Sequence, residues 1–256
     1  MGWERQIHIK NMAELQIMRE AGRINALVLE AVRRRVEPGV ATAELNDAAE
    51  QVLREHGCTS PFKNYGRPPF PASITVSINE ELVHGIPSPK RRLREGDIVS
   101  VDCGTIFDGF VGDSAFTAAV GRISPDAQKL LEVTEGALRA GIDQMRAGKR
   151  TGDVSAAIQG FVESRGLHVT REYTGHGVGR QMHEGPQVPN YGTTGSGPVL
   201  RPGMTIALEP MVLVGTPETR VLADHWTVVS ADGSLTAHFE HSVAVTEGEP
   251  LLLTEP

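Results

Sequence analysis

Two short segments of the sequence, separated by 107 residues, each end in a carboxylate at the same position. The first runs from Leu93 to Asp102 and the second from Leu200 to Glu209, and both read Leu-Arg-x-Gly before an apolar stretch typical of a β-strand. A buried carboxylate without a partner is very costly, so a strand that carries one inside requires a cation or a proton beside it. The repeat predicts two half-sites that face each other.

A second carboxylate follows the first strand. The Asp-Gly pair at 108–109 lies between apolar residues and is typical of a two-residue β-hairpin turn. That turn would place residue 102 opposite 115 and residue 104 opposite 113. Asp102 and Asp113 would then share one face of the hairpin, with their backbones about 7–8 Å apart. This spacing suits two side chains that reach towards one metal ion.

The second half of the chain repeats this pattern. Glu240 lies in a segment that resembles the one around Asp113, so Asp102 corresponds to Glu209 and Asp113 to Glu240. Four inward carboxylates raise one another's pKa unless cations lie between them, and two divalent ions are the simplest solution. Any one of these acids alone would more often be an exposed strand residue. All four at matching positions favour a metal site.

Three histidines lie in glycine-flanked segments: His84 within 83–87, and His176 and His183 within 175–186. Glycine lets the backbone approach a ligand closely, and imidazoles in such segments suit metal ligands or proton carriers. The remaining histidines are expected to be ordinary surface or core residues, namely His8, His56, His168, His225, His238 and His241.

The helices that must position these residues also repeat. Each half contains a helix whose expected N-cap is a threonine and whose expected C-terminal stop is a glycine, at Thr42 and Gly57 and again at Thr151 and Gly166. A longer amphipathic helix precedes each of these, and the second one is expected to begin at Ser124-Pro125.

Each half therefore consists of two helices followed by strands. Alternating strand–helix–strand units are absent, which makes a doubly wound parallel sheet unfavoured. We expect an α+β fold in which pseudo-twofold halves, roughly 12–120 and 124–250, share a central antiparallel sheet covered by helices. One catalytic domain over 1–256 is the prediction, and a tandem pair of separate domains is the alternative.

Composition limits the class of protein. The 256 residues are 39% hydrophobic and 22% charged, as in a soluble globular protein. A net charge of −7 argues against a protein that binds nucleic acids generally through their phosphate backbone. No apolar run approaches the ~20 residues that span a bilayer, no secretory signal is visible, and the two cysteines form no disulfide framework. A cytoplasmic protein is predicted.

The basic runs at 33–35 and 90–94 are expected to be solvated, with RNA or ribosome docking as the alternative.

In combination these motifs resemble methionine aminopeptidase, in its compact bacterial type I form. The resemblance extends from about Ile7 to Val245. It depends on the segments 77–80, 83–87, 96–102, 108–113, 175–177, 208–210 and 239–241. It implies the pita-bread fold, with pseudo-twofold symmetry and a dinuclear metal centre.

The resemblance also implies a role for each candidate residue. Asp113 and Glu240 would bridge two divalent ions of cobalt, manganese, iron or zinc. The ligand set would be Asp102, Asp113, His176, Glu209 and Glu240. His84 and His183 would contact the substrate and stabilise the peptide carbonyl. Glu209 would move a proton from the water activated between the ions to the leaving amine.

Specificity for methionine requires an apolar pocket for an unbranched thioether. By position the resemblance assigns this pocket to Trp226, Thr75 and Met182, with Phe70 and Cys58 as further candidates. The chain departs from the common family pattern here, because Thr75 often reads Cys and Met182 often reads Phe. The segment 61–71 does not align cleanly.

The implied activity is removal of the initiator methionine from nascent polypeptides whose second residue is small. The expected partners are those nascent chains, with a ribosome contact as a further option. Binding to a membrane or to DNA is not expected. A monomer is expected. Two alternatives stay open: a non-catalytic pita-bread protein that binds protein or RNA, and an Xaa-Pro peptidase of the same fold.

Overall fold

The computed structural model describes residues 6–256. Over this range the chain forms four helices: α1 (Met12–Arg33), α2 (Thr42–Glu55), α3 (Pro125–Ile142) and α4 (Thr151–Glu163). None of them has the length and apolar character needed to cross a bilayer. Two helices precede the strands of each half, as the sequence predicts.

The strands over the same range are short, apart from one long hairpin. They are β1 (Ile74–Ile78), β2 (Glu81–Val83), β3 (Ile98–Phe107), β4 (Phe110–Ala119), β5 (His168–Val169), β6 (Thr174–Gly177), β7 (Glu184–Pro189), β8 (Thr205–Leu208), β9 (Met211–Leu213), β10 (Thr219–Val221), β11 (Val228–Ser230), β12 (Thr236–His238), β13 (Glu240–Ala244) and β14 (Leu251–Leu252). Two three-stranded sheets, β10-β11-β2 and β12-β9-β5, flank an eight-stranded one.

The large sheet shows the expected internal symmetry. Its order is β1-β3-β4-β13-β8-β6-β7, with β14 paired to β13, and every pair in it is antiparallel. The order β1-β3-β4 in the first half is mirrored by β6-β8-β13 in the second. The halves join where β4 pairs with β13, at Ala115 with Glu240 and Ser114 with His241. The expected α+β fold with one shared antiparallel sheet is confirmed.

The hairpin of β3 and β4 has the predicted register. Asp102 faces Ala115 and Gly104 faces Asp113. The two turn residues have φ angles of 45° and 75°, at 108 and 109, as a two-residue hairpin turn requires. Asp102 and Asp113 therefore lie on the same face of the sheet.

Side-chain alternation divides the sheet into two faces. Val101 on β3 and Phe116 on β4 point to one face and pack in an apolar core with Ile24, Val28 and Leu45 of α1 and α2. In the second half α3 and α4 cover β8 and β13 in the same way. Because successive residues of a strand point to opposite faces, the acids of β3 and β4 point away from the helices.

The predicted N-caps at Thr42 and Thr151 are wrong by one residue. The helices begin with these threonines, and the residues before them are the N-caps. Ala41 N donates to Glu44 Oε1 at 2.9 Å, and Arg150 N donates to Asp153 Oδ2 at 2.8 Å. An acid at the third helical position thus performs the capping. The predicted cap at Ser124 and the glycine stops at 57 and 166 are confirmed.

The basic runs are largely exposed, as expected. Arg33, Arg34 and Arg35 are exposed at the end of α1. In the second run Arg91 is half-buried, because its guanidinium lies 2.6 Å from Glu81 Oε2. Both cysteines are buried and unpaired.

One buried polar side chain holds α1 against the hairpin. Asn25 is fully buried, and its amide nitrogen donates to Gly112 O and Thr105 Oγ1, each at 3.2 Å, and to Cys103 O. Its carbonyl accepts from Ser114 Oγ. The hairpin backbone also approaches α1 closely, since a Cβ on Gly112 would lie 2.7 Å from the Gly22 nitrogen of α1.

We expect Asn25→Ala to lower the free energy of unfolding by about 3 kcal/mol, because several buried polar groups lose their partner at once. Ser114→Ala removes only one of these hydrogen bonds and should cost about 1 kcal/mol. Urea unfolding followed by circular dichroism measures both. Equal losses in the two variants would contradict the central role of Asn25.

Candidate metal centre

Four carboxylates meet on the face of the large sheet that is turned away from the helices. Asp102 lies on β3 and Asp113 on β4, Glu240 begins β13, and Glu209 follows β8 directly. The junction of β4 and β13 brings the acids of the two halves together, because Glu240 faces Ala115, two residues from Asp113. The local structure thus places the repeated acids at one point.

His176 joins this group from β6. Its Nε2 lies 3.4 Å from Glu209 Oε1 and 3.8 Å from Asp113 Oδ2. Potential ligand atoms of Asp113, His176 and Glu240 all lie within 4.8 Å of one another, and the three residues are buried. The spacing is that of a set of groups able to share a metal ion.

The orientation of the His176 ring suits a ligand. Its Nδ1 lies 2.9 Å from Gly177 O. A carbonyl oxygen can only accept, so Nδ1 carries the hydrogen and Nε2 presents a lone pair to the acids. Metal-bound histidines in proteins are commonly oriented by such a contact.

Burial dominates the electrostatics of the four acids. It raises the pKa of Asp102 to about 7. It also raises the pKa of Asp113, Glu209 and Glu240 well above the ordinary range, and the charges of the neighbouring acids add to this effect. Among the described residues, no hydrogen-bond donor reaches Oδ1 of Asp102 or Oδ1 of Asp113, although both atoms are buried. An oxygen-rich set with one imidazole fits hard or borderline divalent cations.

The other two predicted histidines line the same cavity. The rings of His183 and His176 lie 4.4 Å apart between centroids, and Tyr65 Oη lies 3.2 Å from His183 Nδ1. His84 packs edge-on against Trp226, with centroids 6.2 Å apart. Burial lowers the pKa of His84 to about 4, so this imidazole is neutral near pH 7.

The expectation that His238 is an ordinary histidine is wrong. It is buried, and its Nε2 lies 3.7 Å from Oε2 of Glu209 and 3.7 Å from Oε2 of Glu240. That nitrogen has no hydrogen-bond partner among the described residues, and burial lowers the pKa of the ring to about 3. The spacing of His238 and Glu240 could have indicated this, because side chains two positions apart in an extended chain point to the same side.

An apolar compartment adjoins the acids. Thr75, Met182, Trp226 and Phe70, the residues that the resemblance assigns to a side-chain pocket, line it. Two further aromatic residues, Phe62 and Tyr65, belong to it as well and come from the segment that does not align cleanly. Thr75 also faces Asp102 across the pair of β1 and β3.

Cys58 does not line this compartment, so that prediction is wrong. Its backbone nitrogen donates to Leu53 O just after α2 ends, and its side chain packs in the core between α2 and β1. Cys58 directly follows Gly57, where α2 stops, and therefore lies on the side of the sheet that the helices cover.

The segment 61–71 is attached to Trp226. The indole Nε1 donates to Pro68 O at 3.0 Å. Gly66 has a φ of 74°, and a Cβ there would lie 2.5 Å from Trp226 Cη2, so only glycine allows the ring this position. The mouth of the compartment is thereby given an aromatic wall.

The chain is similar to known proteins over almost its full length. The model of metallopeptidase family M24 matches residues 16–247. The methionine aminopeptidase of Clostridium acetobutylicum is 49% identical over 97% of this chain and 98% of its own. Methionine aminopeptidase 1 of Bacillus subtilis is 50% identical over 93% of this chain and 95% of its own. The solved structure of methionine aminopeptidase from Thermotoga maritima is 43% identical with a TM-score of 0.96, covering 98% of this chain and 100% of that one.

We expect Asp113→Asn to lower the affinity for Mn²⁺ by about 100-fold or more, since a charged ligand at the centre of the group is lost. Titration calorimetry on metal-free protein measures this. Asp108→Asn is the matched control, because Asp108 is exposed at the hairpin tip and asparagine tolerates its positive φ. Unchanged Mn²⁺ affinity in Asp113→Asn would contradict a metal site at these acids.

Proposed function

We propose that this chain, which belongs to metallopeptidase family M24, is a metal-dependent aminopeptidase that removes methionine from the amino terminus of polypeptides. Its fold is the pita-bread fold of that family. The observation that carries the proposal is the position of the buried acids beside an apolar, aromatic compartment. Relatives of nearly equal length, about half identical to this chain, are named methionine aminopeptidase.

We assign the metal ligands to Asp102, Asp113, His176, Glu209 and Glu240. Two divalent ions, of cobalt, manganese, iron or zinc, would balance the four negative charges of this set. Asp113 and Glu240 would contribute ligand atoms that lie within 4.8 Å of each other and of a ring nitrogen of His176. When bound, such ions acidify water and polarise the scissile carbonyl. The support is the unpaired buried oxygens and the single oriented imidazole.

The apolar compartment would hold the methionine side chain. Met182, Phe70 and Trp226 pack together there. An unbranched thioether makes favourable contacts with aromatic edges. The side chain would enter between Trp226 and Thr75 and leave the α-amino group beside the acids.

His84 and His183 would contact the substrate backbone. His84 is neutral near pH 7, so one of its nitrogens can donate to the peptide carbonyl without adding charge to the site. His183 stands next to His176 and is held by Tyr65. Together they would stabilise the negative charge that develops on the carbonyl oxygen.

Glu209 would move the proton from the attacking water to the leaving amine. Burial and the charges of Asp113 and Asp102 raise the pKa of Glu209, which favours uptake of a proton by this carboxylate. It is also the least buried of the second-half ligands, with 13% of its side chain exposed. This exposure gives it access to both water and substrate.

The biological role follows from this chemistry. The substrates would be nascent polypeptides that begin with methionine and have a small second residue, cleaved in the cytoplasm by a monomer. A contact with the ribosome would bring the enzyme to them. The two halves would act as one catalytic domain over 1–256, because each half supplies two carboxylates to the site.

The direct test is release of methionine from short peptides by the metal-loaded protein. We expect cleavage of Met-Gly and Met-Ala, little cleavage of Met-Lys, and loss of activity on chelation that added Mn²⁺ or Co²⁺ restores. Liquid chromatography of free methionine measures this. Cleavage of Ala-Pro in preference to Met-Ala would indicate an Xaa-Pro peptidase, and no hydrolysis by metal-loaded protein would indicate a binding protein.

A second test separates the two roles of Glu209. Glu209→Gln keeps an oxygen ligand but removes the proton carrier, so we expect kcat on Met-Ala to fall about 100- to 10,000-fold. Loss of the charge should also weaken Mn²⁺ binding, so kcat is compared per loaded site at a saturating Mn²⁺ concentration that calorimetry establishes. Glu247→Gln, at an exposed position, serves as the control. An undiminished kcat in Glu209→Gln would rule out the proton-transfer role.

A further inference from the structure

We propose that a buried ion pair, between Lys10 and Glu184, positions the loop that carries His183. Lys10 Nζ lies 2.5 Å from Glu184 Oε2, and both side chains are only 4% exposed. Glu184 follows His183 directly and begins β7. Lys10 lies before α1, in a segment to which no catalytic role has been assigned above. The inference rests on the proposed function, because it concerns the placement of a substrate-facing residue.

The Glu184 carboxylate closes the loop with one oxygen and binds the ammonium with the other. Gln181 N donates to Glu184 Oε1 at 3.2 Å. Gly179 N in turn donates to Gln181 O at 3.1 Å. His183 lies between Gln181 and Glu184 in the chain, so its backbone is fixed on both sides by groups that depend on this carboxylate.

The loop backbone passes directly against the pair. A Cβ on Gly179 would lie 2.5 Å from Lys10 Cε and 2.6 Å from Glu184 Oε1. The same glycine is held from the hairpin, since Val111 N donates to Gly179 O at 2.8 Å. The ion pair therefore has packed neighbours on the loop side and cannot move without moving the loop.

The lysine is anchored at its other end to the repeated cassette. Lys10 N donates to Gly203 O at 2.8 Å, and a Cβ on Gly203 would lie 2.5 Å from Lys10 O. Gly203 precedes β8, whose end carries Glu209. Lys10 thus joins the loop of His183 to the segment that delivers Glu209. Its side chain positions the loop, whereas its link to Gly203 is made by the backbone and does not depend on the side chain.

Loss of one partner should affect turnover rather than metal binding. Removing Lys10 leaves a buried carboxylate without its cation, and the loop must rearrange to hydrate it. Displacing a substrate-facing group by about 1 Å costs on the order of 100-fold in rate. The strand of His176 pairs with β7 at Gly177 and Glu184, but it also pairs with β8 at His176 and Ala207, and this second pairing does not involve the ion pair. The metal ligand can stay in place while His183 moves.

The test compares Lys10→Met with the double variant Lys10→Met/Glu184→Gln, using Mn²⁺-loaded protein and the Met-Ala dipeptide. We expect kcat per loaded site to fall about 10- to 100-fold in Lys10→Met, with Mn²⁺ affinity unchanged. The double variant should recover only in part, to about two- to tenfold below wild type. It has no unpaired charge, and the side-chain amide oxygen introduced at position 184 can still accept from Gln181 N.

Arg146→Met is the matched control, because it breaks an exposed pair with Glu249 of the same 2.5 Å length and should leave kcat unchanged. Wild-type kcat per loaded site in Lys10→Met would overturn the proposal. A loss of kcat in Lys10→Met that is fully explained by a loss of Mn²⁺ binding would also overturn it. If Lys10→Met does not fold, the double variant alone decides, and full wild-type kcat in that variant would overturn the proposal. Failure of the wild-type protein to release methionine would instead contradict the proposed function.

Discussion

Repulsion among four buried carboxylates is the constraint on which the rest of this structure depends. Each acid loses its hydration, and the charges of its neighbours raise its pKa further. A chain that folds with these groups together must either keep protons on them or admit cations. The site is therefore unfavourable to build and chemically useful for the same reason, because an ion that relieves the repulsion is held where a peptide can reach it.

The scaffold meets this constraint by making the helix face of the sheet rigid. Two helices in each half press an apolar layer against the strands, and Asn25 binds the long hairpin at several polar points. The acids have little freedom to separate, since they sit on strands whose other face is packed. The groups proposed to face the substrate, in contrast, lie on loops: His84, His183 and the segment 61–71. The proposed metal ligands and the proposed substrate contacts thus lie on different parts of the scaffold.

Local features of the chain predicted much of this arrangement. The Asp-Gly turn determined the register of β3 and β4, and strand alternation then placed Asp102 and Asp113 on one face. Features that depend on distant segments were harder to predict. Tyr65 reaches His183 across 118 positions of sequence, and Lys10 reaches Glu184 across 174. His238 was within reach of sequence reasoning, but its meaning depends on Glu209, which a different strand supplies.

Strands at equivalent places in the mirrored sheet carry different functional residues, so the two halves are symmetric in fold but not in chemistry. The strands next to the acid-bearing ones, β1 and β6, hold equivalent places in the two halves. One carries Thr75 into the side-chain compartment, and the other carries His176 to the acids. Two identical halves, associated as separate chains, would offer the same group on both sides. Because the two halves are fused in one chain, they can differ at these equivalent places, and the proposed site would then bind a peptide in a single direction.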